Sequence, residues 1–461
     1  MRSRPNTRRT VRPIVPQALK TVNPNAAGID VGSTEIYVAV PAERDKEPVR
    51  VFKTFTRDLH ALVRWLGSCG ITTVAMESTG VYWIPLYDLL EHDGIEVCLI
   101  NARQLKFIKK KTDVLDCQWI QQLHSYGLLN PSFRPTEDIR RFRTISRQRD
   151  MLLRYRAAHI QHMQKVLHEM NIQLDNVISD ITGTTGLAIV RSMLAGERDP
   201  VVLARHRDPH CRCSEEEIIK SLEGTYLDEH LFVLAQALHL HDFYTESILE
   251  CDKHLSLLYE QLEPRTTRPV PPSKKAKKRA SQNPPYDLRA CLYRLCGVDI
   301  SQVDGLNVVT AQIILTETGV DFTKWKTAKH FASWLGLAPN NRVSGGKVLH
   351  QRPTITANRA TQAFRLAARS LHHSKSALGA YFRRIRAKHG PQVAIMASAH
   401  KLARIVFAMV STQTEFHDLG EHYYEERYRD RSLRHLKRKA ATLGFQLVEI
   451  TGFPQLSPGV S

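Results

Sequence analysis

The stretch Ala26-Ala27-Gly28-Ile29-Asp30-Val31-Gly32-Ser33-Thr34-Glu35-Ile36-Tyr37-Val38-Ala39-Val40 decides how this chain is to be read. Two short apolar runs, Ala26 to Val31 and Glu35 to Val40, flank Gly32-Ser33-Thr34, and that pattern predicts two strands joined by a tight turn. Working outward, Val51 to Phe55 reads as a third strand and Leu59 to Leu66 as a helix. Thr73 to Met76 and Val97 to Ile100 read as short buried strands with helical spacing from Trp83 to Leu90 between them. Strands alternating with helices imply an α/β layer domain over residues 25–130.

Further along, the texture changes. Thr136 can cap a helix that carries Glu137 and Asp138 in its first turn, and Ile160, Met163, Leu167, Met170 and Leu174 keep helical spacing. Leu231, Leu234, Leu238, Ile248, Leu255 and Leu262 fit a heptad that His241, Thr245 and Asp252 interrupt, which points to a local helical hairpin or a dimer contact. Residues 131–263 thus read as an all-helical, coiled-coil insertion. The Pro-, Lys- and Arg-rich segment 264–286, with Lys274-Lys275-Ala276-Lys277-Lys278-Arg279, reads as a basic flexible linker. Residues 287–411 read as a mostly helical C-terminal domain. Residues 1–24 and 412–461 read as basic, polar tails.

The chain has 461 residues and a formal charge of +19, from 65 Lys plus Arg against 46 Asp plus Glu. That excess favours a polyanionic partner, nucleic acid before membrane. No apolar run in the sequence approaches the ~20 residues of a membrane span, and the Arg-rich N-terminus lacks a signal-peptide core, so a cytoplasmic location is expected. The eight cysteines are scattered, and most read as small buried hydrophobes. His206, His210, Cys211 and Cys213 suggest zinc, but the cysteines are one residue apart and no second pair follows at finger spacing.

Four carboxylates stand where elements begin or end. Asp30 closes the first strand and Glu77 follows a later one in Val74-Ala75-Met76-Glu77-Ser78. Asp113 and Asp116, three apart in Lys111-Thr112-Asp113-Val114-Leu115-Asp116, share a face of a helix start. Four acids at one point repel one another unless Mg²⁺ or Mn²⁺ offsets their charge, and such ions suit in-line phosphoryl displacement. The bland alternative is a set of caps and solvated charges. Gly28 to Thr34 also resembles the first phosphate loop of sugar kinases and actin-like ATPases, but the second glycine-rich loop of those folds has no convincing counterpart here.

A second candidate is Asn340-Asn341-Arg342-Val343-Ser344-Gly345-Gly346-Lys347, where two glycines let backbone approach an anion and Arg342 and Lys347 add positive charge. By itself it reads as a surface turn. Val303 to Thr310 resembles a helix-hairpin-helix phosphate grip, with Asn307 in place of a glycine. Between Arg140 and Arg156 lie seven arginines (Arg140, Arg141, Arg143, Arg147, Arg149, Arg154 and Arg156) and one acid, Asp150. Such an excess is expected to meet nucleic-acid phosphates.

Taken together, Gly28 to Gly32, Met76 to Trp83, Lys111 to Asp116, Phe331-Ala332-Ser333-Trp334-Leu335-Gly336-Leu337-Ala338-Pro339 and Ser344 to Lys347 resemble the DEDD transposases of the insertion-sequence 110 family, over about Ala27 to Val410. The resemblance implies a ribonuclease-H-like (RuvC-like) N-terminal domain, a coiled-coil insertion and a helical transposase domain. It implies Asp30, Glu77, Asp113 and Asp116 as metal ligands and Ser344 as nucleophile. It further implies donor and target DNA, a guide RNA encoded by the element, a homo-oligomer and a bacterial, nucleoid-associated protein. A resolvase-like nuclease using water and a noncatalytic nucleic-acid-binding protein are the alternatives.

Overall fold

The computed structural model describes residues 20–78, 80–101, 112–273, 283–345, 347–353 and 358–448, the side chains of 340–343 and 347–353 excepted. Most of the basic N-terminal tail, the lysine run at 274–279, Gly346, the side chains of Arg342 and Lys347, and the last thirteen residues lie outside that description. The chain divides into two compact units, Met1–Arg134 and Pro135–Ser461.

In the first unit β1 (Ala26–Val31), β2 (Glu35–Ala39) and β3 (Val49–Lys53) form an antiparallel meander, with helix α1 (Thr56–Ser68) following it. β4 (Thr73–Glu77), α2 (Trp83–His92), β5 (Glu96–Ile100) and α3 (Asp113–Ser125) complete the unit. The five strands are ordered β3-β2-β1-β4-β5, with β4 parallel to β1 and β5 parallel to β4. Side chains alternate between the faces of a strand, so Ile29, Val31, Val74 and Met76 point to one side. They pack there against Leu62 and Leu66 of α1 and Leu86 and Leu90 of α2. On the opposite face Ala75 meets Ile120 of α3, which makes three layers.

The second unit opens with α4 (Glu137–Glu169). Four short helices follow: α5 (Leu174–Val177), α6 (Thr184–Leu194), α7 (Pro200–Ala204) and α8 (Glu215–Leu222). The chain then returns along α9 (Asp228–Gln261). Phe142 meets Tyr259 and Tyr155 meets Tyr244, so α4 and α9 are an antiparallel hairpin. The heptad interruptions have a cause: Asp252 takes the Arg149 guanidinium at 2.5 and 3.1 Å inside the seam. Met163, Leu167, Ile189, Leu203, Ile218 and Leu234 pack the short helices onto one end of the hairpin. Partly buried Cys211 and Cys213 pack against the same core.

The remainder comprises α10 (Leu288–Cys296), α11 (Val308–Thr318), α12 (Ala328–Trp334), β6 (Pro339–Ser344), β7 (Lys347–Pro353), α13 (Arg359–Ser370), α14 (Ala377–His389), α15 (Pro391–Thr412) and α16 (Gly420–Thr442). Phe322, Trp325, Phe331 and Phe407 form its aromatic centre. Asn307 caps α11 by accepting the Thr310 amide at 2.7 Å, an ordinary N-cap.

The mostly helical C-terminal part also carries a hairpin, residues 339–353, and the polar tail carries a 23-residue helix, α16. One expectation needs correction, that no apolar stretch approaches the length of a membrane span. α15 has the length and mean hydropathy, 1.6, of a membrane span. It escapes the reading of apolar runs because Lys401 and Arg404 interrupt it, and it buries Leu402, Ala403 and Val406 in the core.

Candidate active site

The acids are positioned by the sheet and one helix. Ile29 pairs with Met76 across the parallel strands β1 and β4, so Asp30 and Glu77, each one residue further on, stand at neighbouring strand ends. They share the face that carries Gly28 and Ala75, which is the face covered by α3. Asp30 and Glu77 are both half-buried.

α3 lies close because position 28 has no side chain. A β-carbon there would sit 2.2 Å from the Cys117 carbonyl oxygen and 2.2 Å from the Gln121 nitrogen. Gln121 also donates to the Ala26 carbonyl at 3.3 Å, so the helix runs back along β1 and its first turn falls beside Asp30. Thr112 caps that turn by accepting the Leu115 amide at 3.4 Å. Asp113, exposed, and Asp116, half-buried, stand where the helix dipole favours negative charge. Burial raises the Cys117 thiol to about 12, and the charges of Asp30 and then Asp116 add to the effect. Cys117 is therefore a neutral thiol, and it donates to the Val114 carbonyl at 3.1 Å.

The four acids thus gather at one end of one sheet face. They are not drawn into ligand geometry: among the described residues no three His, Cys, Asp or Glu side chains are close enough to hold a metal ion. Like charges keep carboxylates apart until a cation offsets them. A donor set of four carboxylates is hard oxygen, which suits Mg²⁺ or Mn²⁺.

Tyr37 and Glu35 belong to this face and escaped the sequence reading. Tyr37 pairs with Asp30 across β1 and β2 and donates to Glu35 Oε2 at 3.0 Å. That hydrogen bond, then the Glu35 charge, raises the Tyr37 hydroxyl, with Asp113 and Asp30 contributing less. The strand alternation around the Gly32–Thr34 turn was the signal that would have found both.

Ser344 lies in the second unit, at the exposed tip of the β6–β7 hairpin, where it pairs with Lys347. Gly345 has φ +55, a left-handed conformation that glycine adopts without strain. The preceding block anchors this hairpin: Phe331, Leu335 and Leu337 are buried, and Thr361 Oγ1 donates to the Leu335 carbonyl at 2.6 Å.

The arginine run on α4 does not face solvent as one surface. Arg149 is buried against Asp252, which corrects its expected nucleic-acid role. Arg147 makes a forked pair with Glu317 at 3.0 and 2.9 Å, and Arg143 reaches the Thr316 and Glu317 carbonyls at 3.2 and 2.7 Å. Arg141 pairs with Glu137 one turn away, Arg140 donates to the Pro135 carbonyl, and half-buried Arg156 reaches Thr245. Arg154 is exposed and donates to the Asp150 carbonyl. Counting acids within the run missed those that approach from other helices.

Two family models match the chain. One, described as "Transposase" and built on DEDD transposases of the IS110 type, covers residues 27–172; the other, "Transposase IS116/IS110/IS902 family", covers residues 299–383. The first spans the acids and the second spans Ser344. The chain is also 22% identical over 402 residues to the transposase for insertion sequence element IS1328 from Yersinia enterocolitica, covering 86% of this chain and 99% of that one. With both matches in the order the motifs predict, the chain belongs to the IS110 family of transposases.

Proposed function

We propose that this transposase cuts and rejoins DNA with Ser344 as nucleophile and Asp30, Glu77, Asp113 and Asp116 as the ligands of a divalent metal. The observation that carries the reading is that Asp30 and Glu77 end adjacent parallel strands on the face where α3 presents Asp113 and Asp116. The strand order β3-β2-β1-β4-β5, antiparallel in its first three strands and parallel after them, supports a ribonuclease-H-like fold. Mg²⁺ or Mn²⁺ bound there would relieve the repulsion among the acids and polarise a phosphate oxygen.

The protein's own part begins with positioning. Gly28 and the Thr112 cap fix the first turn of α3, which holds Asp113 and Asp116 beside Asp30. Ser344 Oγ then forms a bond to phosphorus as the bond to the leaving sugar oxygen breaks. The serine gives up its proton and the leaving oxygen takes one. The number of phosphodiester bonds is unchanged, so the reverse attack by a new strand end rejoins DNA without ATP. Exposed Arg141 and Arg154, with Arg342 and Lys347 near the serine in sequence, are assigned to phosphate contacts. Donor and target DNA are the substrates. An element-encoded RNA as guide and a homo-oligomer as working form follow from the family resemblance.

A second reading uses water as nucleophile, in the manner of a junction resolvase. It is favoured by the exposure of Ser344, whose hydroxyl has no hydrogen-bonded base among the described residues. Incubation with Mg²⁺, RNA transcribed from the same element and labelled junction DNA tests the acids. Single Asp30→Ala, Glu77→Ala, Asp113→Ala and Asp116→Ala variants should lose strand cleavage by at least about a hundredfold while remaining folded. Cleavage at the wild-type rate by these variants would remove the metal-site assignment.

A further inference from the structure

The basic surface expected on α4 has a counterpart that the sequence reading left as a tail. Between Arg427 and Lys439, α16 carries seven Lys or Arg residues and one acid, Asp430. Arg427, Arg431, Arg434 and Arg438 follow one another at spacings of four, three and four, so they form one stripe. At 1.5 Å per residue the stripe is about 16 Å long.

Unlike Arg141, Arg143, Arg147 and Arg149 of α4, these four are not matched by acids. Among the described residues none of them has a carboxylate within ion-pair distance. Arg427 donates to the Tyr423 hydroxyl at 3.2 Å, and Arg431 and Arg434 donate to carbonyls of their own helix, both at 3.3 Å. Nothing in α16 is buried. The helix is held along its tyrosine side, by the Arg384 guanidinium 3.2 Å from the Tyr428 ring centre and 5.0 Å from that of Tyr424. Lys401 lies 5.5 Å from the Tyr424 ring centre, and Arg383 pairs with Glu421 at 2.5 Å. The anchors are therefore cations too, and the helix is fixed in a field of its own sign. Burial, then the charges of Arg431 and Arg404, lower the Lys401 pKa. A charge run that is only a solvated face gains nothing from being pinned against Arg384 and Lys401, whereas a polyanion relieves the repulsion of all of them together.

We infer that the Arg427–Arg431–Arg434–Arg438 stripe of α16 is a docking surface for the phosphate backbone of double-stranded DNA. DNA is the occupant because it is the polyanion on which a transposase acts, and the arginine fork matches phosphate oxygens. This does not depend on the roles proposed for Ser344 or the acids.

The test is the salt dependence of binding to a duplex of arbitrary sequence. A variant with Arg427→Gln, Arg431→Gln, Arg434→Gln and Arg438→Gln keeps residues of similar helix propensity. The log affinity against log salt line should flatten by roughly 3 to 4 units, at about 0.9 per lost phosphate contact. The matching four Arg→Lys changes should retain most of the slope. Should the Gln variant lose helicity, Arg434→Gln with Arg438→Gln carries the test, because among the described residues those side chains make no hydrogen bond or ion pair outside α16, and a flattening of about 2 is expected. An unchanged slope on DNA overturns the inference. So does a loss confined to an RNA hairpin, or a change in oligomeric state that leaves DNA binding intact.

Discussion

Gly28 contributes no functional group, yet the spacing of the acids depends on it. A methyl group at that position would overlap the α3 backbone at two atoms, 2.2 Å each, and backbone does not yield as a flexible side chain does. Gly28→Ala should therefore push α3 outward and cost about 1–3 kcal/mol of stability by overpacking. It should also lower strand cleavage by roughly a hundredfold, since a shift of about 1 Å at a catalytic group has that effect. Cleavage rate and urea unfolding of the variant check both, and wild-type cleavage would show that α3 need not sit there. At this scale the sequence was informative about residues that end elements. Asp30 and Glu77 could be placed because an apolar strand stops at each. Tyr37 could not, because its relevance comes from lying opposite Asp30 across the turn.

Elements were legible where their own side chains formed the core. β1 and β4 are continuous apolar runs because both faces are covered, and their predicted limits nearly match the observed ones. β6 and β7 carry Asn340, Asn341, Arg342, His350, Gln351 and Arg352, so no alternation marks them. α16 lacks an apolar stripe for a related reason: cations stacked on tyrosines hold it in place of a packed seam. The α4 arginines were misleading because Asp252 and Glu317 lie more than a hundred residues downstream. The Arg149–Asp252 pair, with both side chains under 5% exposed, carries its own prediction. Asp252→Ala leaves a buried cation without a partner and should cost about 3–5 kcal/mol. Arg149→Met with Asp252→Leu removes both charges and should stay near wild-type stability in urea unfolding. Equal losses in the two variants would mean that the pair does not control the hairpin.

For the molecule as a whole, the net charge of +19 is an average over very different surfaces. One sheet face of the first unit concentrates carboxylates, while α16 in the second unit concentrates arginine. The proposed chemistry uses both: acids for a cation at the reacting phosphate, and bases along the backbone that carries it. The proposed chemistry also assigns its ligands and its nucleophile to different compact units. That division is why neither motif is persuasive alone and why the order of the two family matches along the chain mattered.

The most direct measurement follows the serine. Wild-type protein incubated with Mg²⁺, element RNA and labelled junction DNA is denatured, digested and examined for a phosphodiester-linked peptide. The serine mechanism predicts DNA attached to the peptide containing Ser344, and neither adduct nor cleavage from Ser344→Ala, which should still bind DNA. Nicking by Ser344→Ala at the wild-type rate, with no adduct in either protein, would contradict the serine mechanism and leave water as the nucleophile.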